Sequence, residues 1–139
     1  MDEKGAILEK IDHIGIVVKD LDKAIRVFSE ALGLTVRTIQ VLEEYQAKIA
    51  FLPIGESFIE LCQPIGPGED QDFLTEHGEG LQHICFEVKN IDKTLEEIGR
   101  KVELRDKKPR LGAEGSRIAF LDPQSVFNIE IELAERKKS

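Results

Sequence analysis

Tryptophan is missing from this chain altogether, and tyrosine and methionine occur once each. Without Trp, no aromatic platform on which unpaired bases could stack is visible. Basic residues are also in the minority. Against 27 Asp and Glu stand 19 Lys and Arg, for a net charge of −8. Such a field repels phosphate backbones and anionic bilayers, so no nucleic acid and no membrane is expected as a partner. No apolar run approaches the roughly 20 residues that cross a bilayer. The opening stretch, MDEKGAILEK, has no apolar leader. A soluble, cytoplasmic protein is the expectation. Cysteine is scarce: Cys62 and Cys85 stand singly in strand-like contexts. Their spacing fits neither a zinc site nor a redox pair, so both are expected reduced and buried.

What is present is a repeat. The 139 residues suit one ordinary domain, and internal similarity divides them in two. Residues 12–23 read DHIGIVVKDLDK and residues 82–93 read QHICFEVKNIDK, with six of twelve positions identical at an offset of 70. The block IAFL occurs at 49–52 and again at 118–121, and Ile59-Glu60-Leu61 returns as Ile131-Glu132-Leu133. Strand, helix, strand and strand therefore follow one another twice. We expect a single domain over 1–139, with module 1 at about 8–62, a linker and short helix at 63–77, and module 2 at about 78–134. The fold class is α+β: two βαβββ modules forming a shared curved mixed sheet, with the helices outside.

Local signals sharpen the elements. Residues 11–19 alternate as a strand, Asp20 is a plausible helix N-cap, and Leu21, Ala24, Ile25, Phe28 and Leu32 form a helical stripe that Gly33 closes. Strands are expected near 34–42, 47–53 and 57–63. In the second copy a strand at 82–89 leads through the cap Asn90 into a helix at 91–100. Strands near 102–105, 116–121 and 127–134 complete it. The turn-rich segment from Pro64 leads to a short helix at about 70–77, closed by Gly78.

Side chains alternate across a strand, so parity assigns faces. Ile14, Ile16 and Val18 share the face that helices cover, and His13 points the other way. The same parity separates His83 from Ile84 and Phe86, Glu60 from Ile59 and Leu61, and Glu132 from Ile131 and Leu133. A pseudo-twofold axis relating the modules brings His13, Glu60, His83 and Glu132 together on the concave face. Two neutral imidazoles and two carboxylates balance a divalent cation, and nitrogen with oxygen donors suits Zn, Co, Ni, Mn or Fe(II). Four ligands of an octahedral shell leave two positions open for a substrate. The third histidine, His77, sits at a helix end and reads as structural. Gln63 and Glu130 are neighbours of the ligand positions, and Glu43-Glu44 reads as a solvated turn. Lys107, Lys108, Arg110 and Arg117 surround a glycine-containing loop that could hold phosphates.

The duplicated pattern resembles the vicinal oxygen chelate family, and within it the acyl-CoA epimerases that act on methylmalonyl-CoA. The resemblance rests on IDHIGIVVKDLDKAI, AFLPIGESFIELCQP, HGEGLQHICFEV, KPRLGAEGSRIAFLDP and IEIEL, and covers nearly the whole chain. It implies a metal site at His13, Glu60, His83 and Glu132, holding Co(2+) by preference, or Mn(2+), Ni(2+) or Zn(2+). It further implies a homodimer and an acyl-CoA substrate. The implied reaction interconverts (2R)- and (2S)-methylmalonyl-CoA by proton transfer at C2 through a metal-stabilised enolate, with Glu132 as a catalytic acid/base. The alternatives are a glyoxalase-type lyase or isomerase and a metal-free small-molecule-binding protein. Two positions depart from the family. Asp122-Pro123-Gln124 stands where members often read His-Pro-Lys, and Lys48-Ile49 lies where one branch carries a glutamate base.

Overall fold

The computed structural model describes residues 7–137. Eight strands and three α-helices lie among them. The chain divides into two compact units: one holds His13–Gln82, and the other holds the residues up to Asp12 together with those from His83 on. Strand β1 (Lys10–Val17) runs through the division.

In the first unit β1 is followed by α1 (Leu21–Arg26), β2 (Thr38–Leu42), β3 (Ala47–Ile54), β4 (Ser57–Pro64) and α2 (Glu69–His77). The strands lie in the order β2-β3-β4-β1, antiparallel except for the parallel pair β1 and β4. Asp20 caps α1 as its sequence predicts, its side chain accepting from the Lys23 N–H. The expected continuous helix to Leu32 is interrupted. Val27–Ala31 form a π-turn in which the Leu32 N–H donates to the Val27 carbonyl. The extra residue rotates the stripe, leaving Leu32 60% exposed. Leu34 and Val36 take its place against Leu21, Ala50, Leu52 and Leu61. Residues 34–37 consequently lie ahead of the strand, which begins only at Thr38, with Leu34 and Val36 packed and Thr35 and Arg37 exposed. Gly33 ends the turn at φ +78, with nothing near its missing Cβ. Gly33→Ala is therefore a test of backbone strain alone. It is expected to lower stability by about 1 kcal/mol, read as a shift in the urea midpoint.

The second unit repeats the order with β5 (Gly80–Glu87), α3 (Ile91–Ile98), β6 (Arg110–Leu111), β7 (Arg117–Phe120) and β8 (Ile131–Glu135). The strand order is β5-β8-β7-β6, with β5 and β8 parallel. Asn90 caps α3 as Asp20 caps α1. Ile91, Leu95, Ala119, Leu121 and Leu133 form the core beneath that helix. Two expected strands are corrected. Residues 102–105 contribute only an isolated bridge, Leu104 to Leu121. The Arg105 and Asp106 N–H groups both turn to the Phe120 carbonyl, which takes the segment out of ladder pairing. The last strand starts at Ile131 rather than 127, because Phe127 and Asn128 both adopt left-handed φ of +62.

Hydrogen bonds tie the flanking segments to the two units. Lys19 N–H donates to Glu79, and Gln82 donates to Asp70, which tie α2 and its linker to the first copy. Glu9 N–H donates to the Glu87 carbonyl, tying the start of β1 to the second. Among the described residues no helix is long and apolar enough to cross a membrane. Neither cysteine is in a disulfide and both are buried, as expected.

Candidate metal centre

Each unit builds one buried His–Glu pair by the same device. In the first, His13 lies on β1 and Glu60 on β4, where Glu60 stands opposite Gly15 in parallel register. His13 lies two positions before that glycine on β1, and Glu60 Oε2 lies 3.2 Å from His13 Nε2. In the second, Glu132 on β8 stands opposite the small Cys85 of β5. There Glu132 Oε1 lies 3.1 Å from His83 Nε2. Each glutamate also has a phenylalanine of the IAFL block as its antiparallel neighbour, Phe51 beside Glu60 and Phe120 beside Glu132. The ring of Phe120 meets His83 edge-on at 6.3 Å. The repeated block therefore supplies both faces of its strand: Ala50 and Leu52, like Ala119 and Leu121, fill the helix-side cores.

All four side chains are buried. A carboxylate removed from water needs a compensating cation, either a protonated imidazole or a metal ion. The donor chemistry fits a metal. Imidazole nitrogen and carboxylate oxygen are borderline-hard donors for first-row divalent ions. Two ligands bound at 2.0–2.2 Å and at right angles stand about 3.0 Å apart, close to both observed separations.

Other residues take roles the sequence did not disclose. Asp12, only 1% exposed, is held by Arg136, whose Nε lies 2.9 Å from Oδ1 and whose Nη2 meets Oδ2. Burial by itself would lower the Arg136 pKa, but the hydrogen bond and charge of Asp12, aided by Cys85 and Glu114, outweigh it and the net direction is upward. The signal available was parity, since Asp12 shares the even positions of β1 with Ile14 and Ile16. Cys62 places its Sγ 3.9 Å from Glu60 Oε1, a weak thiol contact with the carboxylate. Gln63, considered as a neighbour of the site, instead accepts the Leu21 N–H at the start of α1. His77 is exposed at the end of α2, near Glu76 and Phe73. Asp122 caps the turn Pro123–Val126 through the Gln124 N–H, a local reason for aspartate at that position.

The basic loop is less open than its composition suggests. Arg117 is engaged by Asp92 at 2.9 Å and by Glu135 at 3.9 Å, and the Asp92 hydrogen bonds raise its pKa. Arg110 pairs with Asp106, and Arg105 with Glu130. Lys107 and Lys108 are exposed.

The sequence profile of the Glyoxalase/Bleomycin resistance protein/Dioxygenase superfamily matches residues 12–120. The chain belongs to that superfamily. An uncharacterised protein of Bacillus subtilis is 33% identical over 132 residues, spanning 94% of each chain. An ethylmalonyl-CoA/methylmalonyl-CoA epimerase of Cereibacter sphaeroides is 30% identical over 134 residues, spanning 93% of this chain and 99% of the relative. Among solved structures, a Streptomyces coelicolor methylmalonyl-CoA epimerase variant in complex with 2-nitronate-propionyl-CoA gives a TM-score of 0.90 at 32% identity. That match covers 94% of this chain and 99% of the other. The α+β, glyoxalase-like reading of the fold is thus borne out. Superfamily membership gives the paired His and Glu residues their context, because a divalent ion is typical of the superfamily.

Proposed function

We propose that His13, Glu60, His83 and Glu132 together hold one divalent metal ion, Co(2+) by preference, and that the protein epimerises methylmalonyl-CoA at C2. The observation that carries this reading is the buried His–Glu pair built twice by the same local device. Full-length relatives named as methylmalonyl-CoA epimerases support the substrate. We further propose a cytoplasmic homodimer.

Epimerisation removes the C2 proton, which lies between a thioester carbonyl and a carboxylate, and returns a proton to the opposite face. The metal ion, when bound, supplies Lewis-acid stabilisation for the negative charge that develops as that proton leaves. The chain's own residues do the rest. His13 and His83, as neutral imidazoles, fix the ion without cancelling its charge. The buried strands exclude water, so each charge interaction is stronger than it would be in solvent. Phe120 walls the His83 side and holds the imidazole edge in place. Glu132, whose carboxylate is set beside His83, exchanges the proton on one face of the planar intermediate.

The direct test is solvent hydrogen exchange. In deuterated water with Co(2+), the protein is expected to incorporate deuterium at C2 of methylmalonyl-CoA and to equilibrate the two epimers. Consumption of the methylglyoxal–glutathione hemithioacetal, without C2 exchange, would replace this reading with a glyoxalase-type one.

A further inference from the structure

The site face of the second unit extends past the His83–Glu132 pair. Phe120 stands opposite Glu132 in antiparallel register and meets His83 edge-on. Two guanidinium groups lie over the same ring, that of Arg105 at 4.5 Å from its centre and that of Arg110 at 5.3 Å. Their placement is fixed by the backbone. Arg105 and Asp106 both donate their N–H groups to the Phe120 carbonyl, each at 3.0 Å, and Phe120 N–H donates to Asp106 Oδ2 at 2.9 Å. Arg110 Nε is 3.4 Å from that same carboxylate oxygen. Arg105 in turn grips Glu130, with Nη2 2.6 Å from Oε1 and Nη1 3.4 Å from Oε2. This last pair is partly solvated, its side chains 35% and 28% exposed.

We propose that Arg105 and Arg110, lying over the ring of Phe120, form an anion subsite beside the metal centre, and that Glu130 is an internal placeholder which a phosphate or carboxylate of the acyl-CoA substrate displaces from Arg105. The inference rests on the function proposed above and names residues that would confer its specificity. The chemistry favours this role for three reasons. A guanidinium lying over a ring presents a planar fork of N–H donors that matches carboxylate and phosphate oxygens. An ion pair as exposed as Arg105–Glu130 is worth little and exchanges readily. In a protein of net charge −8, an anionic substrate needs local cations, and the other loop arginine, Arg117, is committed to Asp92 and Glu135.

The two partners of the exchange predict opposite signs. Binding of CoA, which carries phosphates but no acyl carboxylate, and of methylmalonate, which carries carboxylates only, is measured by calorimetry on the metal-loaded protein. Arg105→Met is expected to weaken one probe about 10-fold, and Glu130→Gln to tighten the same probe about 3-fold. The probe that responds identifies the group that is bound. Thermal unfolding of each variant confirms that it is folded. If both variants shift affinity in the same direction, or neither shifts it, the pair is structural and the subsite is wrong even where C2 exchange is intact. A wild-type protein that binds neither probe overturns the subsite, whereas the epimerase reading falls only with the loss of C2 exchange.

Discussion

His13→Ala and His83→Ala are each expected to abolish metal binding and to lower C2 hydrogen exchange by on the order of 10²–10³-fold or more, the usual cost of removing one stabilising group for a developing oxyanion. The wild-type chain should carry one ion, counted by elemental analysis after reconstitution with Co(2+). The stoichiometry decides the point. Two independent His–Glu sites would bind two ions per chain, and each variant would lose only one of them. One shared centre binds one ion, and either variant loses it. Glu132→Gln separates the two roles assigned to that residue. Its amide oxygen can still ligate, but the side chain can no longer accept a proton, so metal content should hold while exchange collapses. Retained exchange in Glu132→Gln would move the acid/base role to another residue.

The two buried His–Glu pairs were legible in the sequence because the duplication marks their residues twice and strand parity sets each of them apart from its helix-side neighbours. A single copy would have left His13 indistinguishable from a satisfied core histidine. The caps Asp20 and Asn90 were legible for a local reason: each side chain satisfies an N–H three residues on, whatever the rest of the fold does. The residues that escaped depend on contacts remote in sequence. Asp12 and Arg136 are 124 positions apart, and nothing in either neighbourhood names the other. The departure of 102–105 from the sheet is decided by where Arg105 and Asp106 find the Phe120 carbonyl, which apolar alternation does not encode. The π-turn after Arg26 is similar: the stripe through Leu32 fits a regular helix, and the packing of Leu34 and Val36 overrides it. At the basic loop, counting cations did not disclose the acids that fold against them, Asp106 at Arg110 and Asp92 and Glu135 at Arg117.

Arg136→Met is expected to cost about 3 kcal/mol of stability, a large share of the 5–15 kcal/mol typical of a domain. The substitution keeps most of the side-chain length but leaves the Asp12 carboxylate, only 1% exposed, without its guanidinium. A buried charge stripped of its counter-ion is the costly case, because the desolvation of the survivor is no longer offset. We place the effect at the low end of the buried-pair range because Arg136 itself is 24% exposed. Replacing both members, Asp12→Asn with Arg136→Met, should recover much of the loss, since no uncompensated charge remains. On the arginine side the sign is fixed. Its folded pKa is raised above an already high unfolded value, so its contribution is fully present at every pH below the ordinary arginine range and is lost only above it. Urea unfolding near neutral pH is the measurement, read from the midpoint with the slope held. A loss under about 1 kcal/mol for Arg136→Met would mean that the pair behaves like a surface ion pair. The burial of Asp12 would then need another explanation.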